Sequence, residues 1–111
     1  MEQLAGQKCA ACRADAPKAT PEEIEKLKPQ IPQWTITDVD GIKRLMRTYK
    51  FADFKEALAF TNKVGAIAEE EGHHPEIVTG WGEVTVGWWT HKIGGLHVND
   101  FIMAAKTDDL M

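Results

Sequence analysis

The sequence predicts an α+β domain: a four-stranded antiparallel sheet with three helices packed on one face, in the order αββαββα. Two stretches of alternating β-branched and aromatic residues meet at Asp40-Gly41, and two more meet around Gly82, which are hairpin signals. Three helix-like runs fall before, between and after these hairpins. At 111 residues the chain supports one hydrophobic core, not two. Residues 1–19 read as a flexible N-terminal arm, and 20–111 as the single domain.

The first helix opens at Thr20-Pro21-Glu22-Glu23, with a hydroxyl cap, proline at the first helical position and an acid at the third. Ile24 and Leu27 face the core, and Pro29 ends the run. Strands over Gln33–Val39 and Ile42–Phe51 flank Asp40-Gly41. Asp53-Phe54-Lys55-Glu56 caps the main amphipathic helix, whose apolar positions are Phe54, Ala57, Leu58, Thr61, Val64 and Ala68. Gly72 is placed to end it in a left-handed conformation. The second hairpin joins Ile77–Trp81 to Glu83–His91. Alternation puts Val84, Val86 and Trp88 on one face and Thr85, Gly87, Trp89 and His91 on the other. Gly94-Gly95 breaks the chain, and residues 98–108 form the last helix, with Phe101, Ile102 and Ala105 available for packing.

The totals exclude several classes of function. The net charge is −4, and Lys and Arg are dispersed among acids rather than gathered with aromatics, which excludes a phosphate-backbone partner such as nucleic acid. No apolar run reaches membrane-spanning length, and no leader pattern opens the chain, so the expected location is the cytoplasm. Cys9 and Cys12 form a Cys-x-x-Cys pair. One pair supplies half of a tetrahedral zinc site, and no βαβ pattern surrounds it, so two reduced thiols on the arm are expected.

Two of the four histidines, His73 and His74, sit behind Glu69-Glu70-Glu71-Gly72 and before Pro75. Peptide dipoles at a helix C-terminus and the three glutamates both favour imidazolium. Imidazole titrates near pH ~6.5 unperturbed, so this is an environment suited to a proton donor. The residue before a proline is biased to extended backbone, where neighbours point opposite ways, so the two rings divide duties. His91 borders the glycine break at a strand end, where side chains commonly edge a pocket. Asp100 lies three residues after His97, where it can cap the last helix, orient an imidazole, or do both.

Taken together, Glu69, three residues, His73-His74-Pro75, five residues, Trp81, nine residues, His91, eight residues and Asp100 form a constellation. It resembles the pterin-4a-carbinolamine dehydratase family, over a span from about Thr20 to Leu110 that includes Gly94-Gly95-Leu96. The arm from Cys9 to Pro17 is similar to that of bacterial members associated with phenylalanine hydroxylation. His97 departs from the pattern, since many relatives carry Thr or Ser there as the helix cap.

The resemblance implies a 4a-hydroxytetrahydropterin substrate, left when an aromatic amino acid hydroxylase consumes its reduced pterin, and loss of water to the quinonoid dihydropterin. It implies no metal and no cofactor: a proton reaches the departing C4a hydroxyl, another leaves N5, and each positioned imidazole contributes on the order of 10²–10⁴ in rate. His73 and His91 are then the acid–base pair, with roles exchangeable between the two faces of the pterin. His74 binds substrate or assists the leaving hydroxyl, Pro75 fixes the turn, and Trp81 or Trp89 offers an apolar wall. The resemblance also implies a homodimer or homotetramer and functional coupling to phenylalanine hydroxylase. Two alternatives remain beside it. A metal site from His73, His74, His91 and Asp100 needs adjacent histidines to converge on one ion, which they rarely do. A non-catalytic assembly or dimerisation cofactor on the same scaffold would not need all three histidines.

Overall fold

A computed structural model describes residues 18–111. The arm with Cys9 and Cys12 lies outside the described residues, apart from its last two positions. The elements run α1 (Pro21–Leu27), β1 (Thr35–Val39), β2 (Ile42–Lys50), α2 (Phe54–Glu71), β3 (Glu76–Gly80), β4 (Glu83–Trp88) and α3 (Val98–Asp108). The order is the expected αββαββα, and short 3-10 turns cover Lys28–Gln30 and His91–Ile93. The sheet order is β1-β2-β4-β3, with every neighbouring pair antiparallel.

Local chemistry explains these boundaries. Thr20 and Glu23 form a reciprocal capping box, with Thr20 N–H donating to Glu23 Oε1 and Glu23 N–H to Thr20 Oγ1. The side chain of Asp53 caps α2 through Glu56 N–H, and Gly72 ends it at φ 65°. Asp40 and Gly41 both take positive φ, 54° and 82°, so the first hairpin turns with the twist its strands require.

The helices lie on one face of the sheet. Leu45, Tyr49, Val84, Val86 and Trp88 meet Ala57, Phe60, Val64 and Ala68 of α2 and Phe101, Ile102 and Met103 of α3. Ile31 and Trp34, between α1 and β1, close one end of this core. Asp108, at the end of α3, accepts from Trp34 Nε1 at 3.0 Å, from Arg47 at 2.7 Å and from the Tyr49 hydroxyl, tying α3 to β2.

Several expectations change. Strand β3 runs Glu76–Gly80 rather than Ile77–Trp81, which leaves Trp81 on the turn. The first strand starts at Thr35 rather than Gln33, because Trp34 N–H closes a turn onto the Ile31 carbonyl at 3.1 Å. The apolar stripe of α2 runs through Ala57, Phe60, Val64 and Ala68, while Phe54 and Leu58 are 46% and 43% exposed. Leu58 lies about 100° around the helix from Ala57, beyond the buried arc. The fourth strand ends at Trp88, so His91 sits on a 3-10 turn rather than in the strand. Thr90 causes this: its N–H donates to the Gly95 carbonyl at 2.8 Å, and its own carbonyl receives Gly95 N–H at 3.4 Å, closing residues 90–95 into a loop.

Candidate functional site

The left-handed turn at Gly72 releases residues 73–75 as extended chain leading into β3. Neighbouring side chains in such a segment point apart, and here they do. His73 is 3% exposed, whereas the side chain of His74 is 61% exposed. His74 Nε2–H donates to Glu69 Oε1 at 2.7 Å, a solvent-facing pair that adds little to stability.

His73 enters the protein instead. Its Nε2–H donates to Asp100 Oδ1 at 2.6 Å, and its ring stacks on Trp88 with centroids 5.5 Å apart and planes 6° from parallel. Asp100 is completely buried. Its second oxygen accepts from Thr90 Oγ1 and from His97 N–H, both at 2.8 Å. One carboxylate therefore joins the exit of α2, the end of β4 and the start of α3. Such charge-assisted bonds in a dry environment are the strong ones. Asp100 both caps α3 and holds the His73 ring by a hydrogen bond. His97 replaces the usual hydroxyl cap: its Nδ1 accepts Asn99 N–H at 3.0 Å.

His91 lies on the other side of the sheet's end. Strand alternation sends Trp88 toward α3, where its Nε1–H donates to Thr107 Oγ1 at 3.0 Å, and sends Trp89 to the face that the helices leave open. The exposed His91 ring stacks on Trp89 at 4.4 Å, and the Arg44 guanidinium lies 3.9 Å from the Trp89 ring centroid. Trp89 is consequently only 7% exposed. Gly87 makes room for this packing, since a Cβ there would meet Met46 Sδ at 2.6 Å and Trp89 Cζ3 at 3.6 Å.

The structure thus gathers Glu69, His73, His74 and Asp100, with His91 and Trp89 at the same end of the sheet, and Pro75 immediately before β3. Trp81, 75% exposed, stands on the β3–β4 turn, at the opposite end of β4 from Trp88. Thr90, Trp88, Arg44 and Met46 were not singled out from sequence. The one signal pointing to them is Gly87, an isolated glycine inside a strand, which marks a close approach over the sheet. On the open face, a shallow hollow of about 330 Å³ lies over β1 and β2, lined by Gln33, Thr35, Thr37, Met46, Arg47 and Thr48.

Among known proteins, one of 65% identity, covering 100% of this chain and 99% of the relative, comes from Syntrophotalea carbinolica and carries the provisional name pterin-4-alpha-carbinolamine dehydratase. A second, from Nitrosococcus oceani, bears the same provisional name at 59% identity over 100% of this chain and 98% of its own. A crystal structure of a transcriptional coactivator/pterin dehydratase from Brucella melitensis superposes with a TM-score of 0.75 at 30% identity, covering 85% of this chain and 98% of that one. A pterin dehydratase-like protein identified as a RuBisCO assembly factor in the alpha-carboxysome shares the fold, with a TM-score of 0.59 at 23% identity over 70% of this chain and 88% of its own. The sequence profile of the pterin 4 alpha carbinolamine dehydratase family matches residues 17–110, and with the fold and the two near-full-length relatives it establishes that this chain belongs to that family.

Proposed function

We propose that the protein removes water from 4a-hydroxytetrahydropterin by histidine acid–base catalysis, yielding quinonoid dihydropterin for recycling in aromatic amino acid hydroxylation. The C4a–O bond breaks as the hydroxyl takes a proton and leaves as water, the N5–H proton is removed, and a C4a=N5 double bond forms. Family membership supports the reaction class. The observation that carries the reading is the buried Asp100, which bonds His73 and Thr90 at once and so brings the His73-His74 segment and the His91 turn to one end of the sheet.

In this reading His73, His74 and His91 share the proton traffic. His74 and His91 reach solvent and meet an incoming ring directly. His73, buried and bonded to Asp100, holds its proton behind them, on the helix side of the sheet. Each positioned imidazole contributes about 10²–10⁴ in rate. Trp89, almost fully covered, backs His91 rather than offering an open wall to substrate. The proposal extends to a cytoplasmic homo-oligomer acting downstream of phenylalanine hydroxylase. Oligomerisation is supported by the apolar surface at Phe54 and Leu58 on α2 and at Val78 on the edge strand β3. Light scattering reads the oligomeric state.

The decisive assay generates the hydroxypterin with a hydroxylase and follows its ultraviolet decay with and without the protein. The expected result is acceleration that falls by about 10²–10⁴ in His91→Ala. Absence of acceleration by the wild-type protein overturns the reading in favour of a non-catalytic assembly role.

A further inference from the structure

We infer that Arg44 is a substrate-binding, specificity-determining residue whose guanidinium takes the C4 carbonyl oxygen of the pterin; this rests on the dehydratase reading above and goes beyond it in naming what distinguishes the accepted ring. Arg44 lies on β2, on the open face of the sheet, with a side chain 18% exposed. Its guanidinium stacks on Trp89, the indole against which His91 also stacks. Among the described residues its polar contact is a 3.7 Å approach to Glu76, beyond hydrogen-bond length, and its buried Nε–H has no acceptor. A planar fork of five donors held flat by an aromatic ring, with its donors unspent, is arranged to receive an acceptor.

The surroundings indicate which acceptor. Thr37, the cross-strand partner of Arg44, and Met46, its neighbour on the same face of β2, both line the hollow of about 330 Å³ on this face. Arg44 stands at the margin of this shallow hollow, whose volume is large enough for a bicyclic ring. A 4a-hydroxytetrahydropterin carries a carbonyl at C4, adjacent to the carbon that loses its hydroxyl. Binding that oxygen at Arg44 brings the reacting carbon toward the indole that backs His91. The 3.7 Å spacing to Glu76 leaves the guanidinium able to turn toward the ligand without breaking a hydrogen bond.

The test compares the binding of two unreactive pteridines, followed by their fluorescence: one bearing the 2-amino-4-oxo pattern, the other a 2,4-diamino pattern. The second presents a donor where the first presents an acceptor, so a cationic donor at that point rejects it. Wild-type protein is expected to prefer the oxo compound. Arg44→Met keeps apolar contact with Trp89 but removes the donors, and is expected to bind the oxo compound about 10–100-fold more weakly and to lose the preference. Arg44→Lys retains the charge without the planar fork and should recover part of the preference. In steady-state dehydration the Met variant should raise KM with little change in kcat, because the carbonyl is bound alike before and during reaction. A wild-type protein without preference, or an Arg44→Met protein that keeps it, overturns the inference. If kcat alone falls while the preference persists, Arg44 merely props Trp89 and the inference is likewise overturned. Failure of the dehydratase reading looks different: the wild-type protein then accelerates no dehydration at all.

Discussion

Asp100→Asn tests the buried carboxylate with the least change in shape. Asp100, 0% exposed, accepts from His73 Nε2–H at 2.6 Å and from Thr90 Oγ1 and His97 N–H at 2.8 Å each. An amide supplies one oxygen and one NH₂. With its oxygen in the Oδ2 position, the Thr90 and His97 bonds survive, and the NH₂ faces His73, whose Nε2 must then present a lone pair. The charge-assisted bond from His73 is lost, about 1.5–3 kcal/mol, and the two remaining bonds become neutral ones. At about 4 °C per kcal/mol for a domain of this size, Tm falls by roughly 6–12 °C. Asp100→Ala goes further, stranding three buried donors, and costs about 3–5 kcal/mol, a large part of a typical total stability. Urea unfolding followed by tryptophan fluorescence measures both, because Trp88 stacks on His73. Equal stability of wild type and Asp100→Asn would refute the claim that this contact is a strong, desolvated, charge-assisted hydrogen bond.

Tyr49 is held protonated well above the ordinary phenol range, first by burial and then by its bond to Asp108. Below the unfolded value of about 10 its contribution to stability is complete; above it the unfolded chain ionises while the folded phenol does not, so stability falls by up to about 1.4 kcal/mol per pH unit. Tyr49→Phe should lack that alkaline slope in urea midpoints, and parallel profiles for the two proteins would contradict the assignment. His97→Ala removes the acceptor for Asn99 N–H and should cost about 0.5–2 kcal/mol by thermal unfolding, with His97→Ser restoring most of it; an equal loss in the Ser variant would mean that the ring does more than cap. Gly82 has φ 75°, and a Cβ there would sit 3.2 Å from the Phe51 carbonyl oxygen. Gly82→Ala should therefore destabilise by about 1–2 kcal/mol, and an unchanged urea midpoint would show that the turn adapts.

Features set by neighbours in sequence were the legible ones. Thr20 and Glu23, Asp53, Gly72 and Asp40-Gly41 act within a few residues of themselves, and each forms the cap or turn its chemistry demands. Contacts between distant residues were not legible. Asp108 meets Trp34, Arg47 and Tyr49 across separations of 74, 61 and 59 residues, and no periodicity encodes such a meeting. The α2 stripe was misjudged at Phe54 and Leu58 because apolar spacing gives a face but not its centre. At the site, the division between His73 and His74 followed from the proline after them. The packing of Arg44, Met46 and Trp89 over Gly87 depended on strand register, which pairs Met46 with Gly87 and which the sequence leaves open.

The adjacent tryptophans give the site its physical logic. Trp88 points to the helices and stacks on His73; Trp89 points to the open face and stacks on His91. A strand end therefore holds two imidazoles in unlike surroundings, one dry and bonded to a carboxylate, the other wet and beside a guanidinium. Fixing their backbones relative to one another is the work of Asp100, through His73 on one oxygen and Thr90, next to His91, on the other. Because that same carboxylate caps α3, the order of the site is coupled to docking of the last helix. Changing Asp100 consequently perturbs stability, whereas a change at exposed His91 leaves the core intact.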